Sequence, residues 1–165
     1  HEETMRIKLK KYQRVYSFDY DNTLIDYRYI RDDEGYIEDV VYHGPNSGNV
    51  NKFKKLKQMG HKVIIVTSRQ KRIKKPPWDA SPSPEEFSNK YNLNADGIYY
   101  TGGDTKAQTL ARLGVFKHWD DDEEEIKAIM TWNKNNETDI KFELVDVPEE
   151  ISENLRNKFL RWING

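Results

Sequence analysis

The segment at residues 15–25, VYSFDYDNTLI, constrains the fold more than any other part of this sequence. A short apolar run leads directly into three polar side chains at alternate positions, Asp19, Asp21 and Thr23. Because unpaired carboxylates are costly at the end of a buried strand, two of them in succession indicate a bound cation, a proton-transfer task or both. The segment therefore predicts a reaction centre where a buried strand ends. A turn or helix cap is the simpler alternative.

Length and composition exclude several classes of protein. The 165 residues fit one domain, which we place at residues 5–165, with residues 1–4 as an addition ahead of a natural start at Met5. The 27 basic and 28 acidic side chains nearly cancel, so any preference for nucleic acid or a membrane must be local. The absence of cysteine excludes disulfides, thiolate metal sites and cysteine nucleophiles, and favours a cytoplasmic setting. No apolar run is long enough for a membrane span or a signal peptide.

The alternation of strand and helix patterns along the chain predicts an α/β fold. Strands are expected at residues 12–18, 62–66, 97–100, 115–119 and 140–145, and helices at residues 49–59, 84–91, 105–113, 123–132 and 148–163. This order implies a three-layer sandwich around a Rossmann-like parallel sheet of about five strands. Two β-prone runs around a turn signal at residues 32–35 predict a small hairpin flap at residues 27–42, just beyond the first strand.

Polar residues follow four of the predicted strands. In an open parallel sheet ligands bind at the carboxyl ends of the strands, so these residues are the candidates for a site. The set comprises Asp19, Asp21 and Thr23, then Thr67, Ser68 and Arg69, then residues 101–104 with Lys106, and finally Asp120, Asp121 and Asp122. Carboxylates from two strand ends, a hydroxyl from another and a lysine suit a phosphoryl group bound with Mg²⁺.

The set resembles the four motifs of the haloacid dehalogenase-like superfamily of phosphohydrolases. The motifs occur in the family's order, between residues 15 and 122. They are Asp19-Tyr20-Asp21-Asn22-Thr23 after the first strand, Thr67 after Val63-Ile64-Ile65-Val66, Lys106, and the acidic pair Asp120-Asp121. Each motif lies at a predicted strand end or helix start, which is the structural context that the motif requires.

The resemblance implies a two-step mechanism. Asp19 would attack phosphorus and form an aspartyl-phosphate. Its carboxylate would also bind Mg²⁺, together with the phosphate and a fourth-motif aspartate. Asp21 would protonate the leaving oxygen, later deprotonate the attacking water, and bind Mg²⁺ through its backbone carbonyl. Thr67 and Lys106 would hold the phosphate oxygens, and Thr23 would orient the Asp19 loop. Simpler roles remain open for Thr67, as a partner of a strand-end amide, and for Lys106, as a solvated residue.

The fourth motif leaves the direct metal ligand open, because three aspartates follow Trp119 in succession. If the strand ends at Trp119, Asp120 and Asp121 form the metal-binding pair, with Asp121 as the direct ligand. A slip of one residue would move this role to Asp122. Otherwise the acidic run at residues 122–125 is interpreted as the start of a helix. His118 is interpreted as a structural residue.

The sequence indicates the substrate less clearly than it indicates the reaction. The intervals between motifs are too short for the cap domain that usually selects substrates in this family, so the resemblance implies an open site or one closed by the hairpin or by oligomerisation. Ser68 and Arg69 are further candidates for substrate contact. The loop at residues 71–78 combines basic side chains with Trp78, a combination that binds nucleotides or single strands when it is not simply solvated.

The leading hypothesis is a Mg²⁺-dependent phosphomonoester hydrolase acting on nucleotides or nucleic-acid phosphate ends. The alternatives are a phosphoprotein phosphatase and a non-catalytic binding module with the same fold. A phospho-receiver domain fits poorly, because its acidic pair precedes the phosphorylated strand. We expect no membrane partner, and the sequence leaves the oligomeric state open.

Overall fold

The structure, a computed structural model, describes residues 6–71 and 78–164. Within these ranges the chain alternates strands and helices, as the sequence predicts. The strands are β1 (Val15–Phe18), β2 (Ile25–Arg31), β3 (Ile37–Pro45), β4 (Lys62–Thr67), β5 (Ile98–Tyr100), β6 (Val115–Asp120) and β7 (Lys141–Leu144). The helices are α1 (Ser47–Gln58), α2 (Pro84–Lys90), α3 (Ala107–Leu113), α4 (Glu123–Asn136) and α5 (Glu149–Asn164).

Five strands form one parallel sheet in the order β5-β4-β1-β6-β7. The central strand β1 pairs with β4 on one side and with β6 on the other, so that Phe18 lies opposite both Ile65 and Trp119. The carboxyl ends of these three strands are therefore neighbours. The predicted α/β sandwich is confirmed. The predicted site residues that follow these strands all lie at one edge of the sheet.

Both faces of the sheet are buried at β1 and β4, as the continuous apolar run of β4 requires, whereas the edge strand β7 is exposed. Ile65 and its alternate neighbours pack with Phe53 of α1 and Phe87 of α2 in one apolar cluster. Ile64 and its alternate neighbours pack with Leu110 of α3 in a second cluster on the opposite face. Each of these side chains is fully buried, and each contributes roughly 1.5–3 kcal/mol through removal from water.

The sequence signals for helix ends are confirmed at α2 and α3. The Ser83 hydroxyl accepts the backbone N–H of Glu86 at 3.1 Å, and the Glu86 carboxylate accepts the N–H of Ser83 at 3.0 Å, which is the predicted capping box. Pro84 occupies the first helical position. Helix α3 ends at Gly114, whose φ of 76° is the left-handed conformation that glycine adopts without strain.

The hairpin β2–β3 and helix α5 lie together beyond the sheet. The antiparallel hairpin is longer than predicted, because its strands extend to residues 25–31 and 37–45. Helix α5 contacts it through ion pairs of Arg31 with Glu150, at 2.9 Å, and of Lys158 with Asp39. The sequence predicts a closing helix but not this position. Within the described ranges, the hairpin and α1 lie between the first and second motifs, and α2 and β5 lie between the second and third. None of the described helices is long and apolar enough to cross a membrane.

Candidate active site

The turn after β1 brings Asp19 and Thr23 together. The backbone N–H of Asp19 donates to the carbonyl of Trp119 at 2.9 Å, which continues the pairing of β1 with β6. The carbonyl of Tyr20 then accepts the N–H of Thr23 at 3.2 Å, and Asn22 adopts a φ of 61°, a conformation that asparagine tolerates better than most residues. The chain folds back so that the Thr23 hydroxyl donates to the Asp19 carboxylate at 3.2 Å.

Three carboxylates and one lysine meet at this end of the sheet. Carboxylate oxygens of Asp19, Asp120 and Asp121 all lie within 4.8 Å of one another. The Lys106 ammonium donates to Asp19 Oδ1 at 2.7 Å and to Asp120 Oδ2 at 2.6 Å. The Lys106 side chain is 2% exposed, and those of Asp19 and Asp120 are 7% and 0% exposed. The structure therefore brings the first, third and fourth motifs into direct contact. Asp120 is the last residue of β6, one position later than predicted.

The charges in this cluster do not balance. Burial and the neighbouring Asp120 charge raise the pKa of Asp19 above its ordinary value. Burial and the Asp19 charge raise the pKa of Asp121 to about 10. For Asp120 the burial effect is outweighed by Lys106 and by a hydrogen bond from His118, so its pKa is lowered. Burial alone would lower the pKa of Lys106, but the two carboxylates that it contacts raise it.

This excess of negative charge is the environment in which a hard cation binds. All three donors are carboxylate oxygens, the ligands that Mg²⁺ and Ca²⁺ prefer. A cation between them would offset the burial and the mutual repulsion that raise the pKa values of Asp19 and Asp121. The cluster of Asp19, Asp120 and Asp121 is therefore able to hold a metal ion, and its chemistry fits the predicted Mg²⁺ without identifying the metal.

Glu125 belongs to this site, although the sequence placed it in an acidic run at a helix start. Asp122 does cap α4, because its carboxylate accepts the N–H of Glu124 at 2.9 Å. Glu125, by contrast, is buried and accepts the backbone N–H of Lys106 at 3.2 Å. Burial raises the pKa of Glu125 to about 7. No feature of the sequence distinguishes this glutamate from its exposed neighbours; only the packing of α4 against α3 does.

Asp21 lies outside the acidic cluster and has a different set of partners. The Arg69 guanidinium donates to both of its carboxylate oxygens, at 2.8 and 2.7 Å, and the Tyr27 hydroxyl donates to Oδ1 at 2.6 Å. Burial would raise the pKa of Asp21, but the charge of Arg69 and these hydrogen bonds outweigh it and lower the pKa. The structure therefore favours the ionised form of Asp21. Tyr27, which lies on the hairpin, was not predicted to have a role here.

The predicted substrate-binding residues divide into two groups. Ser68, Arg69 and Lys106 line the cavity above the strand ends. Thr23 and Thr67 are buried instead, and the Thr67 hydroxyl accepts the backbone N–H of Arg69 at 3.2 Å. This contact is the simpler role that the sequence left open for Thr67.

The cavity has a volume of about 1380 Å³ and is larger than a small-molecule pocket, which typically measures about 300–1000 Å³. Its walls include side chains of the hairpin, of the loop after β4 and of α5. The Lys158 ammonium joins these three elements, because it pairs with Asp39 of the hairpin and lies 4.4 Å from the centre of the Trp78 ring. Aromatic and basic side chains on the walls are Tyr27, Arg69, Lys71, Trp78, Arg156 and Phe159. Of the predicted loop at residues 71–78, the structure describes Lys71 and Trp78, and residues 72–77 lie outside the described ranges.

Comparisons with known proteins support the fold of this chain. No protein-family model and no curated protein matches the sequence. Seven chains among the solved structures match. One, from a structure titled "Structure of the Pnkp1/Rnl/Hen1 RNA repair complex", has a TM-score of 0.52 and 16% identity over 87% of this chain and 46% of its own. Another, from "Structure of Pnkp1/Rnl/Hen1 complex", has a TM-score of 0.51 and 16% identity over 87% and 50%.

The chain thus spans about half the length of these two structural neighbours. An identity of 16% shows a shared fold and nothing more. Fold and site together define a Rossmann-like α/β protein with an acidic cluster, two of whose three members are buried, at the carboxyl edge of its sheet. Membership of the haloacid dehalogenase-like superfamily stays a prediction from the motifs.

Proposed function

We propose that this chain is a Mg²⁺-dependent phosphomonoester hydrolase of the haloacid dehalogenase-like type, which forms an aspartyl-phosphate on Asp19. The observation that carries the proposal is the convergence of Asp19, Asp120 and Asp121 within 4.8 Å, with the Lys106 ammonium in contact with two of them. Such a group of side chains stabilises a phosphoryl group in transfer by position and charge.

In the first step a carboxylate oxygen of Asp19 forms a bond to phosphorus as the bond to the ester oxygen breaks. Lys106 and Thr23 hold the two Asp19 oxygens in place, and Lys106 also offsets the negative charge that would repel the phosphate. A bound divalent cation would supply further positive charge between the carboxylates and the phosphate. In the second step water attacks the same phosphorus and releases Asp19.

Asp21 is suited to the second step, in which the attacking water must lose a proton. Arg69 and Tyr27 keep the Asp21 carboxylate ionised, and an ionised carboxylate is the form that accepts a proton. In the first step Asp21 must instead carry the proton that the leaving oxygen takes. That form would be favoured if Arg69 left Asp21 for the incoming phosphate, which would couple phosphate binding to the acid role of Asp21. Once Asp21 has given its proton to the leaving oxygen, it is ionised for the second step.

The favoured substrate is a phosphorylated end of a nucleic acid. The cavity of about 1380 Å³ admits more than a small phosphate ester, and its aromatic and basic walls suit bases and backbone phosphates. The structural neighbours come from an RNA repair complex, which agrees with a substrate of this class. A phosphopeptide is the second candidate, since basic side chains also bind it.

The test is release of inorganic phosphate from oligonucleotides phosphorylated at the 3′ or the 5′ end, with p-nitrophenyl phosphate and a phosphopeptide as comparison substrates. Activity is expected to disappear with EDTA and to return with Mg²⁺. Asp19→Asn should abolish phosphate release, whereas the matched variant Asp139→Asn, at an exposed aspartate before β7, should not. Turnover that survives in folded Asp19→Asn would exclude the nucleophile assignment. Metal binding without any hydrolysis would favour the non-catalytic module.

A further inference from the structure

A buried chain of hydrogen bonds reaches the acidic cluster from within the sheet. The Ser17 hydroxyl lies 2.6 Å from His118 Nδ1, and His118 Nε2 lies 2.7 Å from Asp120 Oδ2. Ser17 on β1 and His118 on β6 are direct partners in the parallel pairing of these strands, so the sheet itself fixes their contact. All three residues are 0% exposed.

The three residue types match those of a serine hydrolase triad, but their burial excludes that role. A nucleophilic serine must reach a substrate, whereas Ser17 lies within β1 and is 0% exposed. Neither Ser17 nor His118 lines the cavity. The pair therefore acts through Asp120. The tautomer with its hydrogen on Nε2 satisfies both contacts, since Nε2–H donates to the carboxylate and Nδ1 accepts the Ser17 hydroxyl.

The contacts of Asp120 show how these hydrogen bonds constrain its carboxylate. Its Oδ2 atom accepts from Lys106 at 2.6 Å and from His118 at 2.7 Å. Its Oδ1 atom accepts the backbone N–H of Asp122 at 3.1 Å and retains a second lone pair. Donors on both oxygens fix the rotation of the carboxylate, and Oδ1 is the oxygen with room for a further ligand.

We propose that His118, held by Ser17, is a positioning residue that orients the Asp120 carboxylate for the cation. The inference rests on the proposed function in taking the cluster as a metal site, but it concerns metal affinity and not hydrolysis. Residues that hydrogen-bond to a metal-binding carboxylate typically change metal affinity by about 10–100-fold when replaced. His118 is thereby assigned to the site, whereas the sequence indicated a structural residue.

The test measures Mn²⁺ binding by the electron paramagnetic resonance signal of the free ion, with the whole chain and no substrate. His118→Met removes both ring nitrogens at similar volume and should weaken Mn²⁺ binding about 10–100-fold. His118→Gln places an amide N–H near the position of Nε2 and should recover most of the affinity. Ser17→Ala removes only the hydroxyl and should weaken binding by a smaller factor.

A control variant separates positioning from general loss of stability. Val63→Ala leaves a cavity in the buried part of β4, and Val63 has no hydrogen bond to Asp19, Asp120 or Asp121, so its Mn²⁺ affinity should match the wild type. Wild-type affinity in folded His118→Met, or equal weakening in Val63→Ala, would overturn the proposal. If His118→Met does not fold, the Ser17→Ala measurement decides, and unchanged binding there overturns it.

The outcomes also separate this inference from the proposed function. A chain whose Mn²⁺ affinity depends on His118 but which releases no phosphate would support the positioning role and refute the hydrolase. A wild-type chain that binds no Mn²⁺ at millimolar concentration would overturn the positioning role itself.

Discussion

Replacement of Lys106 by methionine tests the charge balance on which the site depends. The Lys106 ammonium lies 2.7 Å from Asp19 and 2.6 Å from Asp120, and all three side chains are buried. Removal of one partner of a buried ion pair typically costs about 3–5 kcal/mol, because it leaves an uncompensated charge. Since a domain is stable by only about 5–15 kcal/mol, Lys106→Met should lose a large part of its free energy of unfolding in EDTA.

A bound cation should offset part of this loss, because it supplies the missing positive charge. If Mg²⁺ binds the variant at least tenfold more tightly than it binds the wild type, the loss at saturating Mg²⁺ shrinks by at least about 1.4 kcal/mol. The assay is urea unfolding followed by circular dichroism, in EDTA and in Mg²⁺. Lys117→Met is the matched control, since its ion pair with Glu143 is partly exposed and is worth about 0–1 kcal/mol.

Two results would refute this reasoning. A loss in EDTA no larger than that of Lys117→Met would mean that Lys106 does not compensate the carboxylates. An equal loss in EDTA and in Mg²⁺ would mean that the cation and the ammonium do not share the same charges.

Three further predictions concern the hairpin, the acidic cluster and α5. Tyr27→Phe removes the hydroxyl that donates to Asp21. If this loss raises the activation free energy by about 1.4 kcal/mol, kcat for phosphate release should fall about tenfold with KM unchanged. A change in KM alone would contradict this prediction. Because the pKa of Asp121 is about 10 in the folded chain and near 4 when unfolded, folding takes up a proton between these values. In EDTA the urea midpoint should therefore fall as pH rises from about 5 to about 9, and Asp121→Asn should flatten this dependence; equal slopes would argue against the raised pKa. Arg156→Glu reverses a charge on the cavity wall and should raise KM for a phosphorylated oligonucleotide but not for p-nitrophenyl phosphate, and an equal effect on both substrates would argue against a nucleic-acid contact.

The sequence predicts the sheet and most of the acidic cluster for a simple reason. In a parallel sheet covered on both faces, strands are continuous apolar runs, and the first polar residue marks the end of the strand. Val63 to Val66 followed by Thr67 is such a transition. Strand β6 also ends where Trp119 gives way to Asp120, although Lys117 and His118 interrupt its apolar run. Because all strand ends of this kind lie at one edge, the motifs can be assigned to the same site before any contact is known.

What the sequence does not predict depends on contacts between distant elements. The pair of Arg69 and Asp21 joins residues 48 positions apart, and no local pattern selects it from the other charged pairs. The sequence predicts α5 as a closing helix, but not the ion pairs of Glu150 with Arg31 and of Lys158 with Asp39 that join it to the hairpin. The burial of Glu125 likewise follows from how α4 packs, not from its neighbours in the chain.

The central position of β1 has a consequence for how the protein acquires its pocket. Lys106 is 87 positions from Asp19, and His118 is 101 positions from Ser17. Contacts of such long range form late and slowly in folding. A chain still being synthesised therefore has an incomplete pocket, because Asp120 and His118 lie on β6. The acidic cluster is complete only after β6 has left the ribosome and paired with β1.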